Sequence, residues 1–276
     1  MTAMRNLARR QRGFTLVEAI VVIVITGIVA SFVAVFIRLP VQSYVDTAAR
    51  IALADTADTA LGRINRELRL ALPNSVVVAN GNTALQFVLT KAGGRYVDVN
   101  NLPPATVLPL RFDGASTQFD IVGPAPTGRA AIAPGDWLVI NNTGAAPANV
   151  YALNRNNVVS ITAIAGNRVS LAGGLPLAAA APPPYRFRIA VGTVTYLCSN
   201  NTLTRYFTPG IPTSGVATVG NLGTPAVLAD RATCAFHNLP LPTQAGTALV
   251  TASLQLTSTG GETVKLVRQT QVENLP

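Results

Sequence analysis

The chain has 276 residues, of which 49% are hydrophobic and 12% charged, a composition that excludes a disordered polypeptide. The formal charge is +9, but four arginines precede the first apolar run, and the remaining 17 basic and 12 acidic residues leave +5. Since no basic run of five occurs, the charge pattern does not indicate nucleic-acid binding. The 22 glycines and 19 prolines predict a body that is rich in turns and mostly β-structured.

The N-terminal apolar run has the length of a membrane span. Residues 14–37 number twenty-four, and residues 19–37 carry no charge. A helix that rises about 1.5 Å per residue would extend about 36 Å, which exceeds a hydrocarbon core of about 30 Å. The basic residues before the run predict a cytoplasmic N-terminus and an extracytoplasmic body after Pro40. These basic residues are Arg5, Arg9, Arg10 and Arg12.

Glu18 lies inside this run, where a carboxylate costs about 2.5–3.5 kcal/mol at mid-membrane and less near a helix end. A cleaved signal peptide is one interpretation, but its apolar core is usually about 7–15 residues long. A plain uncut anchor is a second, and it leaves Glu18 unexplained. In the third interpretation the chain is cut after Gly13, so that Phe14 becomes a free amine one helical turn from Glu18. Glu18 can then pair with its own amine or with that of a neighbouring subunit.

The hexapeptide GFTLVE, with a basic leader before it and an apolar helix after it, resembles the processing site of type IV prepilins and of type II secretion pseudopilins. The resemblance implies that a prepilin peptidase cuts between Gly13 and Phe14 and methylates the Phe14 nitrogen. It also implies that Glu18 contacts the amine of an adjacent subunit during assembly. The expected segments are a leader at 1–13 and a transmembrane assembly helix at 14–39.

The helix is expected to continue past Pro40, which would kink it, and to run from Phe14 to about Leu72. Apolar residues recur at spacings of three and four and predict an amphipathic stripe that faces a sheet. The stripe consists of Leu61, Ile64, Leu68 and Leu72. The opposite face is expected to be a solvated surface rather than a ligand site, and it carries Arg63, Arg66, Glu67 and Arg69.

Beyond the helix the apolar period changes to two, which predicts an α+β fold with a mostly antiparallel sheet. Hairpins are predicted around Asn80-Gly81, Asn200-Asn201 and Gly260-Gly261. Shorter strands are predicted in GDWLVINN, VYALN, VVSITAI and NRVSL. Residues 40–276 are expected to form one helix-plus-β domain, in which about 100–182 can form an inserted β lobe that ends at a proline-rich hinge near residue 182.

The two cysteines, Cys198 and Cys234, both fall in predicted strands of the extracytoplasmic part. The oxidising compartment favours a disulfide, and the alternative is a pair of separate buried thiols. A disulfide would restrict the unfolded chain by about 4 kcal/mol in the chain-entropy model. Two cysteines without a histidine cluster fall short of the four ligands of a structural zinc site, so no metal is predicted.

No catalytic motif or cofactor site is predicted, and the chain is expected not to be an enzyme. The single histidine, His237, has no nucleophile or orienting acid at a recognisable spacing. The G-x-S-x-G, P-loop and H-E-x-x-H patterns do not occur. The single tryptophan, Trp137, is expected to be a half-buried strand residue, with a binding patch as the alternative.

The body carries a second resemblance. The segments LGRINRELRLALPNS, VTYLCSNNTLTRY and VRQTQVENLP together resemble the MshO family of minor pilins of mannose-sensitive haemagglutinin (MSHA) pili, and more distantly J-type pseudopilins and PilW-like minor pilins. This implies a structural subunit whose partners are the prepilin peptidase, other major and minor pilins and the inner membrane. It would span that membrane once, with its body in the periplasm, before it enters a pilus. The alternatives are a type II secretion pseudopilin and an uncut, membrane-anchored binding module.

Overall fold

The computed structural model of the protein describes residues 13–99, 106–176, 185–213, 222–240 and 246–275. The leader before Gly13 and the proline-rich hinge near residue 182 lie outside these residues. The chain divides into two compact units, Met1–Ile51 and Ala52–Pro276. One helix, α1 (Leu16–Leu68), begins in the first unit, and its last part belongs to the second. The α+β class and the single long N-terminal helix are therefore confirmed.

The second unit contains twelve strands within the described residues. They are β1 (Val77–Ala79), β2 (Ala84–Tyr96), β3 (Gln118–Val122), β4 (Trp137–Ile140), β5 (Val158–Ala165), β6 (Arg168–Leu171), β7 (Arg186–Ser199), β8 (Thr202–Pro209), β9 (Thr224–Asp230), β10 (Ala232–Pro240), β11 (Thr247–Thr257) and β12 (Thr263–Glu273). Nine of them form one sheet in the order β1-β2-β3-β6-β5-β4-β7-β8-β9, and β10-β11-β12 form another. Every pairing between these strands is antiparallel.

Six strands of the large sheet close into a ring, because β2 also pairs directly with β7. The ring order is β2-β3-β6-β5-β4-β7, so each of the six strands pairs with a neighbour along at least part of both its edges. It encloses an apolar cluster that includes Phe119, Leu138 and Phe187. The strands β3 to β6 come from the segment that the sequence suggests as an inserted lobe. The structure shows them as part of the same sheet, and the domain boundaries themselves stay a prediction.

The last part of α1 packs against both sheets. Leu61, Ile64 and Leu68 are 2%, 1% and 2% exposed, and they share one apolar cluster with residues of the nine-stranded and the three-stranded sheet. The predicted stripe is thus confirmed for these three residues. Leu72 is also buried, but it lies beyond the helix end and packs in a different cluster with Val88.

The helix ends at Leu68, four residues before the predicted end. The backbone N–H of Ala71 donates to the carbonyl of Leu68 at 3.1 Å, which tightens the last turn. The next residues then pair with β2, because the Leu72 N–H donates to the Val88 carbonyl at 2.8 Å and the Thr90 N–H donates to the Leu70 carbonyl at 2.9 Å. The Leu72 N–H and the Leu70 carbonyl, which a longer helix would use within itself, therefore form hydrogen bonds with β2 instead.

The three predicted hairpins are present, whereas the strand predicted for VYALN is wrong. Asn200 and Asn201 connect β7 and β8 with φ values of 50° and 57°, the left-handed conformation of a type I′ turn. In VYALN the N–H of Val150 donates to Asn142 Oδ1, and the N–H of Tyr151 donates to Asn149 Oδ1. Because side chains take these donors, the segment forms turns instead of a strand ladder.

Cys198 and Cys234 form a disulfide that links the two sheets. Their Cα atoms are 6.0 Å apart, and one cysteine lies in β7 and the other in β10. The bond therefore joins a strand of the nine-stranded sheet covalently to a strand of the three-stranded sheet.

Replacement of Ile64 with alanine tests the packing of α1 on the sheets. We expect Ile64→Ala to lower the free energy of unfolding by about 2–5 kcal/mol, because the side chain is fully buried and leaves a cavity. Val267→Ala is the matched control, since Val267 is 58% exposed, and its cost should stay below about 0.5 kcal/mol. Denaturant unfolding of the full-length, oxidised protein in detergent micelles measures both. Equal costs for the two variants would contradict the packing described.

Candidate processing and assembly segment

The start of α1 is defined by a side-chain cap. Residues 13–15 precede the helix, and the hydroxyl oxygen of Thr15 accepts a hydrogen bond from the Glu18 N–H at 3.3 Å. The Thr15 carbonyl accepts from the Ala19 N–H at 3.1 Å. Thr15 is thus the N-cap residue, and Glu18 occupies the position of the acidic residue in a Thr-x-x-Glu capping box. The capping role of Thr15 was missed in the sequence, although this spacing signals it.

Glu18 lies in the first turn of α1, where the positive end of the helix dipole favours a carboxylate. Within the described residues its carboxylate has no ion-pair partner. It is also the only charged side chain between Phe14 and Ile37. The described part of the chain therefore gives this carboxylate a favourable helix end but no cationic partner.

The surroundings of the predicted cleavage point are open. Among the described residues, no heavy atom lies within 4 Å of a Cβ built on Gly13, apart from its chain neighbours. The next side chain, Phe14, is 76% exposed. A peptidase that reads these residues in extended form therefore meets no steric obstruction from the described part of the chain.

The apolar part of α1 exposes its side chains all round. Leu16, Phe32 and Phe36 are 77%, 67% and 80% exposed. The helix is long and apolar enough to cross a membrane, and the most apolar part of it is not buried within the chain. A helix that is apolar on every face requires lipid or other helices around it.

Residues 8–34 match the family model of the prokaryotic N-terminal methylation motif. This motif is a type IV pilin-like prepilin signal, and the match includes Gly13, Phe14 and Glu18. Proteins that carry it are structural rather than enzymatic, and it implies interaction with a prepilin peptidase and with other pilins in general. Together with the single apolar helix, the motif fits a membrane-anchored pilin. No curated protein and no solved structure matches the chain.

At the other end of α1, Glu67 is not the solvated surface residue that the sequence predicts. Its side chain is 16% exposed, and its carboxylate accepts hydrogen bonds from the Tyr196 hydroxyl at 2.7 Å and from Arg205 Nε at 2.9 Å. Arg205 is 12% exposed. Arg63, which is 41% exposed, approaches the same carboxylate at 3.4 Å.

The Tyr196 phenol completes this cluster as a neutral donor. Burial raises its pKa, and the hydrogen bond to the Glu67 carboxylate raises it further. The helix is thus joined to β7 and β8 by a buried charge pair and a phenol. Sequence reasoning missed the cluster because Tyr196 and Arg205 lie 129 and 138 residues from Glu67 along the chain.

The remaining candidate positions show no catalytic arrangement in the described residues. His237 is exposed on β10, where it pairs with Thr251 of β11. Trp137 is half-buried at the start of β4, with the Arg155 guanidinium 5.5 Å from its ring centroid. The described part of the chain also contains no group of three or more histidine, cysteine, aspartate or glutamate side chains that could hold a metal ion.

Replacement of Glu67 with glutamine tests the buried pair. We expect Glu67→Gln to lower the free energy of unfolding by about 2–3 kcal/mol, because Arg205, which is only 12% exposed, keeps its charge without a counter-charge. Asp58→Asn is the matched control on the same helix. Asp58 pairs with Arg268 at 2.8 Å but is 65% exposed, so its change should cost at most about 1 kcal/mol. Denaturant unfolding gives both values, and a cost for Glu67→Gln no larger than the control would contradict a buried role.

Proposed function

We propose that this protein is a minor pilin or pseudopilin, a structural subunit that is processed between Gly13 and Phe14 and then assembles into a fibre. The observation that carries the proposal is the methylation motif at residues 8–34, which coincides with an exposed helix start whose only charged residue is Glu18. The proposed segments are a leader at 1–13, an assembly helix at 14–39 and an extracytoplasmic domain at 40–276.

The proposed mechanism begins in the membrane, where the basic leader holds the N-terminus on the cytoplasmic side. Cleavage removes the leader and exposes the amine of Phe14. N-methylation leaves that amine basic, so the new N-terminus remains a cation. The apolar helix then moves from lipid into a bundle of similar helices, which can cover all of its faces.

Glu18 sets the stagger of the subunits in this proposal. Its carboxylate has no ion-pair partner among the described residues, and in a helix bundle it would be removed from water. An unpaired buried carboxylate costs several kcal/mol, whereas pairing with the Phe14 amine of an adjacent subunit offsets that cost. Arrangements in which the two groups do not meet are therefore disfavoured, which selects one stagger.

The finer assignment is an MSHA-like pilus, in which the subunit would be incorporated or would help initiate the fibre. Its support is the resemblance of three body segments to MshO-type minor pilins. A pseudopilin of a type II secretion system is the alternative within the same class. An uncut, membrane-anchored binding module is the alternative outside it, and the mass of the native N-terminus distinguishes this class from the others.

The processing step predicts a defined mass. Intact-mass measurement of the protein from a host with a prepilin peptidase should show a chain that begins at Phe14 and carries one additional methyl group. The Gly13→Ala variant should retain the mass of the uncleaved precursor, because its added methyl group would hinder cleavage at the peptide bond that follows residue 13. Gly27→Ala is the matched control within the same helix, since no atom lies within 4 Å of its added Cβ. An intact N-terminus in the wild type would support the anchored module instead.

The assembly step is tested with two variants of Glu18. Glu18→Ala and Glu18→Gln should both be cleaved and methylated normally but should disappear from the sheared fibre fraction. The glutamine variant keeps the size and the hydrogen-bonding groups of the first turn, so its failure would identify the charge as the required feature. Normal incorporation of Glu18→Gln would show that Glu18 acts as a helix cap and not as an ion-pair partner. Immunoblots of sheared and cell-bound fractions provide the readout.

A further inference from the structure

A groove of about 380 Å³ lies in the second unit, near the point where the chain leaves α1. It is lined by residues 68–71, 90–93 and 271–273, together with Pro73 and Arg188. A second hollow shares Arg69, Gln271 and Glu273 with it, so the depression continues along β12. The groove therefore brings together the end of the helix, one part of β2 and the end of β12.

One wall of the groove is an incompletely paired strand edge. On the edge of β2 that faces away from β7, residues 70–72 pair with residues 88–90. The same edge continues through residues 91–94, and no strand in the described part of the chain pairs with it there. Pairing resumes only at Arg95, which lies opposite Val122 of β3. An unpaired edge of this kind presents backbone donors and acceptors to an added strand.

Another part of the lining belongs to an edge strand of the three-stranded sheet. β12 pairs with β11 and is the last strand of the three-stranded sheet within the described residues. Its last three residues line the groove. An extended segment in the groove would therefore contact residues of both sheets.

The groove carries an excess of positive charge. Three cationic side chains line it, Arg69, Lys91 and Arg188, against one acidic side chain, Glu273. Lys91 already contacts Asp136 at 2.6 Å. Arg188 and Glu273 are 3.5 Å apart, and their side chains are 37% and 56% exposed. Water and dissolved anions can therefore reach this pair. Arg69 is exposed and has no ion-pair partner among the described residues.

The charge of the chain argues against a second copy as the occupant. The formal charge is +9, and +5 without the four arginines of the leader, so another copy would bring an excess of like charge to a cationic groove. The strand edge argues for an extended peptide, because its backbone groups match those of a strand. Carboxylates on that peptide would complement Arg69 and Arg188.

We propose that this groove binds an extended acidic segment of a different protein, which pairs with residues 91–94 of β2 and places carboxylates beside Arg69 and Arg188. The contacts all lie within the second unit, so the proposal does not depend on cleavage of the N-terminal segment. It assigns a docking surface to the β domain, for which the methylation motif predicts no role.

The test uses a fluorescein-labelled heptapeptide of sequence TEVEVET and the full-length, oxidised protein in detergent micelles. Fluorescence anisotropy should show saturable binding. The double variant Arg69→Glu/Arg188→Glu should weaken binding by at least about tenfold. Arg66→Glu is the matched control, because Arg66 is exposed in the last turn of α1 but does not line the groove, and it should change affinity less than about twofold. Equal losses in the two variants would overturn the proposed location.

Two further peptides test the strand character with wild-type protein alone. A peptide with proline in place of both valines, TEPEPET, should bind about tenfold more weakly, because proline removes backbone donors. A peptide with lysine in place of glutamate should not bind. Equal binding of the proline peptide would reduce the site to a cationic patch and overturn the strand proposal. A single-stranded oligothymidylate that displaces the acidic peptide and binds more tightly, or no peptide binding at all, would overturn the proposed occupant.

Discussion

The fold of the second unit depends on the apolar packing of one face of α1, which carries Leu61, Ile64 and Leu68, against both sheets. Residues of both sheets share one apolar cluster with this face, so the helix side chains fill the space that neither sheet fills alone. The Cys198–Cys234 disulfide links the same two sheets from β7 to β10. The helix face, the disulfide and backbone hydrogen bonds such as that from the Phe236 N–H to the Asn82 carbonyl at 2.8 Å together hold the two sheets.

The two glutamates of α1, Glu18 near its start and Glu67 near its end, have different surroundings. Glu67 finds Tyr196 and Arg205 within the chain, and this buried cluster joins the helix to the large sheet. Glu18 finds a capped helix start but no cation among the described residues. In the proposed fibre its partner is a neighbouring subunit. One carboxylate thus contributes to folding, whereas the other is available for assembly, and the difference follows from what surrounds each end of the helix.

The elements that depended on short stretches of sequence were predicted well. The stripe at spacings of three and four marked the buried face of α1, and the asparagine pair at 200–201 marked a type I′ hairpin, because left-handed φ values suit asparagine. The end of α1 at Leu68 was not predicted, since residues 70–72 leave the helix and bond to β2. The turn around Val150 was likewise missed, because asparagine side chains take its backbone donors. In both cases the deciding partners lie outside the local pattern.

The sequence by itself determined the methylation motif, the membrane-length apolar helix and the α+β class, because each is a property of contiguous residues or of a repeating period. Only the tertiary structure decided that six strands close into a ring, that Glu67 packs against Arg205 with little exposure, and that residues 90–93 of β2 border a cationic groove. These features require residues far apart in the chain to meet. Periodicity identifies which side chains are buried, but the partners are selected by strand order and packing.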